Sequence, residues 1–176
     1  MTALEWQEAP LSKSHDRVAF DSGDIDLNQY LQRYARQNHD SGGAKCFVAA
    51  PDIAPARILG FYTLSPASID YDRTPALAKK GLARYDVPVF RLGRLAVDKS
   101  VQGRGLGGAL LLAAAERCIC AASEVGGVAL LIDAKNIRAA RWYESYDATP
   151  LLDAPLSLVL PLAVARDALR RRAKHS

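Results

Sequence analysis

The sequence predicts a single α/β domain spanning residues 1–176. Strand-like runs such as KCFVAA at 45–50 alternate with helix-like runs such as the apolar stretch 109–122, so the hydrophobic period switches repeatedly along the chain. Its 176 residues are 49% apolar and 24% charged, enough to bury one sizeable core with no second domain. A glycine-rich turn at 103–108 stands between a strand and a helix, a junction suited to ligand binding. No internal repeat or low-complexity segment interrupts this pattern.

The elements follow in order. Asp24 or Asp26 caps a helix expected over about 26–38, with Leu27, Tyr30, Leu31, Tyr34 and Ala35 on one face and Arg33, Arg36 and Gln37 on the other. KCFVAA at 45–50 and RILGFYTLS at 57–65 read as paired strands joined by a loop containing Pro51 and Pro55. From Pro66 to Pro88 the signals weaken. This stretch, with Lys79, Lys80, Gly81 and Arg84, is expected to be a surface excursion with one short helix, a common place for substrate contacts. A strand follows over 89–97, and its interior Gly93 marks either a bulge or a packing glycine. After the glycine turn and the long apolar helix come a strand at 127–133 and a helix at 137–146. LSLVLPL then reads as a strand cut by Pro161, which suits an edge or a strand end. A basic tail is expected over about 163–176.

The segment FRLGRLAVDKSVQGRGLGG, from Phe90 to Gly108, carries the chemistry. Glycines let a backbone curl around a ligand, and the unbonded N–H groups at a helix start point at it, so an anion site for a phosphate or pyrophosphate is expected. Gly103, Gly105 and Gly108 spell G-x-G-x-x-G, with Asp133 ending the next strand. A dinucleotide fold is nevertheless disfavoured. Residues Asp98 to Val101 separate the strand from the first glycine, and too little chain follows Asp133 to complete such a fold. A P-loop is excluded, because no Gly-Lys-Ser/Thr follows.

Cys46, Cys118 and Cys120 form neither an even framework nor a C-x-x-C pair, which predicts a reducing, cytoplasmic location and no metal site. The N-terminus lacks a basic-then-apolar signal, and no run of 18 apolar residues occurs, so a soluble protein without a membrane role is expected.

Read as Q-x-x-G-x-G, residues Gln102, Gly105 and Gly107 resemble the acetyl-coenzyme A motif of the GNAT acetyltransferase superfamily. Asn136-x-x-Ala139-x-x-x-Tyr143 matches a second element of that superfamily. The resemblance implies a mixed, mostly antiparallel central sheet, splayed where acetyl-CoA binds, with helices on both faces. It implies that backbone groups of Gln102, Gly103, Arg104, Gly105, Leu106, Gly107 and Gly108 cradle the coenzyme's pyrophosphate. Leu95, Ala96 and Val97 would offer strand N–H and C=O groups to the pantetheine arm and thioester, and Asn136 would touch the pantetheine amide. Tyr143 would protonate the leaving thiolate. The chemistry is sensible, since a thiol has a pKa of about 8.5 and a phenol one of about 10.

FDSGDIDLNQYLQRYARQ, LGRLAVD and DAKNIRAARWYESY together are similar to the acetyltransferase toxins of type II toxin–antitoxin pairs. That narrower resemblance spans nearly the whole chain. It implies acetylation of the α-amino group of aminoacyl-tRNA, a block in translation, a homodimer, and neutralisation by a ribbon-helix-helix antitoxin through which operator DNA would be engaged. Other amine acceptors, small molecules or protein N-termini, remain open, as does a coenzyme-binding regulatory module without tRNA activity. The element around Ser22-Gly23 has no chemistry of its own and reads as a turn before a helix.

One departure concerns the helix end after Trp142-Tyr143. Asp147 stands where the family usually has glycine, so the helix is expected to end differently, and Tyr146 is a possible substitute acid. The strand 89–97 contains no Glu, Asp or His to act as a base. That absence suits an α-amine of pKa about 7.7–8.0 better than a lysine amine of about 10.4. With a net charge of +4, Arg36, Lys79, Lys80, Arg84, Arg91, Arg94, Arg170, Arg171 and Arg172 are candidate contacts for tRNA phosphates. Arg91 and Arg94 would face opposite sides of an unbulged strand.

Overall fold

The computed structural model describes residues 3–175. Its strands are β1 (Trp6–Pro10), β2 (Lys45–Pro51), β3 (Gly60–Ile69), β4 (Val87–Val97), β5 (Ala129–Asp133), β6 (Thr149–Leu151) and β7 (Ala154–Pro161). They form one mixed sheet in the order β1-β2-β3-β4-β5-β7-β6. The helices are α1 (Ile25–Arg33), α2 (Ala35–Ser41), α3 (Ala76–Lys79), α4 (Leu106–Val125), α5 (Ile137–Glu144) and α6 (Leu162–Ala173). Two compact units divide the chain, residues up to 65 with 93–111, and 66–92 with 112 onward.

In the first unit β2 pairs antiparallel with β1 and with β3. β1 had no counterpart in the sequence reading, because WQEAP is short and ends in proline. It is tied down by its ladder and by the buried Tyr62 hydroxyl, which donates to Glu8 Oε1 at 2.6 Å. Leu11, Phe20, Tyr30, Leu31, Ala35, Cys46, Val48, Ile58, Phe61 and Ala96 make the core, with Phe20 edge-on to Phe61 at 5.5 Å. Each large apolar side chain buried in this way contributes roughly 1.5–3 kcal/mol. Asp24 is the cap of α1, its carboxylate accepting from the Leu27 N–H at 3.0 Å. The single helix expected over 26–38 is instead two. Tyr34 leaves helical geometry at φ −121°, ψ −30°, and the residue is 54% exposed instead of buried in the core.

The second unit contains the parallel step of the sheet. β4 pairs with β5 from Val89/Ala129 to Leu92/Ile132, and α4 supplies the crossover that a parallel pair requires. Ile69, Ala78, Val87, Val89, Ala129, Leu131, Leu151 and Val159 form its core. The excursion at 66–88 holds a 3-10 turn at Tyr71–Arg73 and the short α3, while β3 runs on to Ile69. β7 is an interior strand between β5 and β6, not an edge, and Pro161 takes the other expected place, the strand end, opposite Ala129. The expected basic tail is helical, since α6 covers 162–173 with Leu162 and Ala165 buried.

α5 ends in a left-handed turn closed by two backbone bonds. The Asp147 N–H donates to Glu144 O at 2.9 Å and the Ala148 N–H reaches back to Tyr143 O at 3.3 Å, the double closure of a Schellman cap. Asp147 itself supplies the left-handed residue, with φ 71°. The helix is therefore two residues shorter than the 137–146 expected, yet the departure from glycine leaves the cap intact. Asp147→Gly should relieve the left-handed strain and stabilise the fold by about 0.5–1 kcal/mol, read as a raised midpoint in thermal or urea unfolding.

Candidate active site

β4 delivers the chain to Asp98, which is only 9% exposed. A buried carboxylate is costly unless donors surround it, and here they do. It accepts from the Asp21 N–H at 3.0 Å, from the Ser100 N–H at 3.0 Å and from the Ser100 hydroxyl at 2.7 Å. Burial alone would raise its pKa. The donors, with the positive charge of Arg57, outweigh that and hold the carboxyl below the ordinary carboxylate range. Arg57 also donates to Ser100 Oγ at 2.7 Å.

The short 3-10 turn Lys99–Val101 then leads into the glycine loop. Gly103 and Gly105 take left-handed φ values of +78° and +85°, which a side chain resists. Among the described residues, no atom beyond each glycine's own chain neighbours lies within 4 Å of where a Cβ would stand on either, so that side of the loop is open. The first α4 bond in the ladder is from the Ala109 N–H to Gly105 O at 3.1 Å. The amides of Leu106, Gly107 and Gly108 thus open the helix, where N–H groups and the helix dipole favour an anion. Leu106 and Gly108 are buried and Gly107 is half-buried. The exposed Arg104 adds a positive charge beside them. These residues fit an anionic group such as a pyrophosphate.

Gln102 has a different task from its loop neighbours. Its side-chain N–H2 donates to Val97 O and to Ser22 O, both at 2.9 Å, and so ties the loop to the end of β4 and to the N-terminal turn. Leu95, Ala96 and Val97 lie beyond Leu92, where the β4–β5 ladder stops, and the Val97 carbonyl is already engaged by Gln102. Gly93 follows that ladder end directly. A Cβ there would come within 3.3 Å of the buried Thr63 hydroxyl, so close approach accounts for the glycine.

In the second unit Asn136 takes an extended conformation and caps α5, its side-chain oxygen accepting from the Ala139 N–H at 2.8 Å. That leaves the carboxamide N–H2 as the group it presents. Tyr143, about two helical turns further along, is 6% exposed and stacks edge-on to Trp142 at 4.9 Å. Burial, reinforced by the negative charge of Asp133, pushes its phenol above the ordinary tyrosine value. Tyr146 also lies against Trp142, at 5.0 Å, but falls after the end of α5.

The basic candidates are dispersed. Arg91 is ion-paired to Asp133 at 2.6 Å, and Arg94 lies over the Tyr30 ring, 3.6 Å from its centroid. Lys79 and Arg84 converge on Tyr71, at 4.3 and 5.9 Å from its centroid, beside a cleft of about 680 Å³ lined by Asp70, Arg73 and Tyr85. Lys79 also donates to Tyr71 O, and Arg84 pairs with Asp72 at 2.9 Å. Lys80 follows α3 and is exposed. Arg36 faces Asp40 at 3.7 Å on α2. Arg170, Arg171 and Arg172 are exposed in the last turn of α6, with Asp167 3.9 Å from Arg170.

The sequence assigns no role to Asp98, and Ser22-Gly23 reads there only as the turn before a helix, which it is. An acid two residues before Ser100 was a legible capping signal, but its burial and its bond to a residue 77 positions away were not. The Cys46 and Cys118 thiols are buried and pushed up to about 12 by that burial, whereas Cys120, on the same helix as Cys118, is exposed.

Residues 42–147 match the model of the acetyltransferase (GNAT) domain. The chain is 38% identical over 156 residues to the "tRNA-acetylating toxin" of Mycobacterium tuberculosis, covering 89% of this chain and 92% of that protein. A solved structure of AtaT complexed with acetyl-methionyl-tRNAfMet superposes with a TM-score of 0.86 at 25% identity, over 94% of this chain and 99% of that one. A tyrosine-to-phenylalanine mutant of AtaT, bound to the C-terminus of the antitoxin AtaR, gives 0.80 at 25% identity, over 92% and 96%. By its glycine loop, its mixed sheet and these matches, the chain belongs to the GNAT acetyltransferase family.

Proposed function

We propose that this protein moves the acetyl group of acetyl-CoA to the α-amino group of aminoacyl-tRNA and acts as the translation-blocking toxin of a toxin–antitoxin pair. The observation that carries this reading is the 38% identity to a tRNA-acetylating toxin along 89% of the chain.

The residues divide the work. The amides from Gln102 to Gly108 and the charge of Arg104 hold the pyrophosphate. Leu95 to Val97 and the Asn136 N–H2 orient the pantetheine arm. Acetyl-CoA, when bound, supplies the acetyl group as a thioester. Tyr143 keeps its proton at neutral pH and delivers it to the departing sulfur. β4 carries no acidic or histidine side chain from 89 to 97, which suits an acceptor amine already part-neutral near pH 8. The exposed arginines 170–172, with Arg36, Lys79, Lys80, Arg84 and Arg94, serve the tRNA phosphates. Arg91 is assigned a lesser part because Asp133 already holds it. The protein works in the cytoplasm as a homodimer, with a ribbon-helix-helix antitoxin that brings operator DNA to the pair.

Incubation with labelled acetyl-CoA should label charged tRNA and leave deacylated tRNA unlabelled. Tyr143→Phe should lower that rate by about 100-fold or more while acetyl-CoA binding is retained. Label in both tRNA pools, or in neither, would contradict the reading. The pH profile should rise as the acceptor amine loses its proton. Since the Tyr143 phenol is held above the ordinary tyrosine value of 10.0, its ionisation should impose no falling limb below that pH. A falling limb near pH 8 to 9 that vanishes in Tyr143→Phe would show that the phenol is not so protected.

A further inference from the structure

Among the described residues, Asp98 is the one charged side chain that is buried, and the acetyl-CoA loop begins four residues after it. Its donors come from two directions. Ser100 grips it from the 3-10 turn that opens the loop, and the Asp21 N–H reaches it from the N-terminal turn. That turn is itself built. Asp21 Oδ1 accepts from the Gly23 N–H at 2.9 Å and from Asn28 Nδ2 at 3.0 Å, while Asn28 Oδ1 accepts from the Ser22 N–H and hydroxyl at 2.9 and 2.8 Å. Gly23 has φ +87°, and a Cβ there would meet the Lys99 side chain at 3.2 Å. The Lys99 N–H donates to Asp21 O at 2.8 Å, and Gln102 closes the circuit on Ser22 O. A bond chain therefore runs from α1, through residues 21–23, to both ends of the segment that precedes the glycines.

We propose that Asp98 is a positioning residue for acetyl-CoA, and that the turn Asp21-Ser22-Gly23, braced by Asn28, exists to hold it. This rests on the acetyl-CoA role given to the loop above. Asp98 touches neither coenzyme nor acceptor. It fixes the backbone from which the Gln102–Gly108 amides are aimed, so that those donors are already oriented when the pyrophosphate arrives. A loop without that anchor must be ordered by the coenzyme, and the penalty falls on binding rather than on the chemical step.

The test is Asp98→Asn, which keeps the shape but replaces an acceptor oxygen by an N–H2 facing N–H donors. The KM for acetyl-CoA should rise about tenfold or more, the dissociation constant measured by calorimetry without any acceptor should rise by the same factor, and kcat should stay within about twofold. Ser100→Ala and Asn28→Ala, which each remove part of the brace, should shift KM the same way by less. A merely structural role would lower the melting temperature and the amount of active enzyme and leave KM unmoved. An unchanged KM in folded Asp98→Asn, or a loss confined to kcat, overturns the proposal. If Asp98→Asn does not fold, an unchanged KM in both milder variants overturns it. Wild-type protein that fails to bind acetyl-CoA in the calorimeter would overturn the functional reading itself.

Discussion

A carboxylate taken out of water survives only if hydrogen bonds replace its hydration, and at Asp98 the replacements are drawn from two distant parts of the chain. Asp21 and Ser100 lie on either side of it in sequence, and each surrenders a donor. The same bonds that keep the charge tolerable also clamp the N-terminal turn to the end of β4. Everything after that point inherits the constraint. The 3-10 turn, the left-handed glycines at 103 and 105 and the first turn of α4 are aimed by where Asp98 is held. Arg57 strengthens the arrangement, because its guanidinium donates to Ser100 Oγ and its charge favours the ionised carboxylate.

Backbone and side chain carry different parts of the chemistry. In the proposed reaction the glycine loop would offer main-chain N–H groups, whose charge cannot be titrated away, to a ligand group that is always anionic. In that proposal Tyr143 would offer a single proton, and burial and the charge of Asp133 both disfavour its phenolate. The helix that carries it is fixed at both ends, by the Asn136 cap and by the turn through Asp147. Asp133 plays two roles in this unit, holding Arg91 in an ion pair while raising the Tyr143 phenol.

The glycine spacing and the Asn136 to Tyr143 spacing were legible because they are local. Backbone conformation at Gly103 and Gly105, and the cap at Asn136, are decided within a few residues. The paired strands β2 and β3 were legible as short apolar runs separated by a proline-containing loop. What escaped reading depends on distant partners. β1 is short and gains its status from its ladder with β2, and β7 becomes interior because β6 adds outside it. The break at Tyr34 follows no proline or glycine and shows only in backbone geometry. Arg91 and Arg94 read alike as cations, yet one meets a carboxylate and the other a tyrosine face. The Ser22-Gly23 element carried no chemistry in isolation because its function is to bond residues some 80 positions away.

Whether this molecule's acceptor is the α-amine of a charged tRNA can be asked directly of the product. Charged tRNA treated with the protein and acetyl-CoA would be digested with a nuclease that releases the aminoacylated 3′-terminal adenosine, and the released nucleoside analysed by mass spectrometry. The account predicts aminoacyl-adenosine heavier by one acetyl group, with the acetyl on the amino acid's nitrogen. Unmodified aminoacyl-adenosine, recovered while acetyl-CoA is bound, would contradict it.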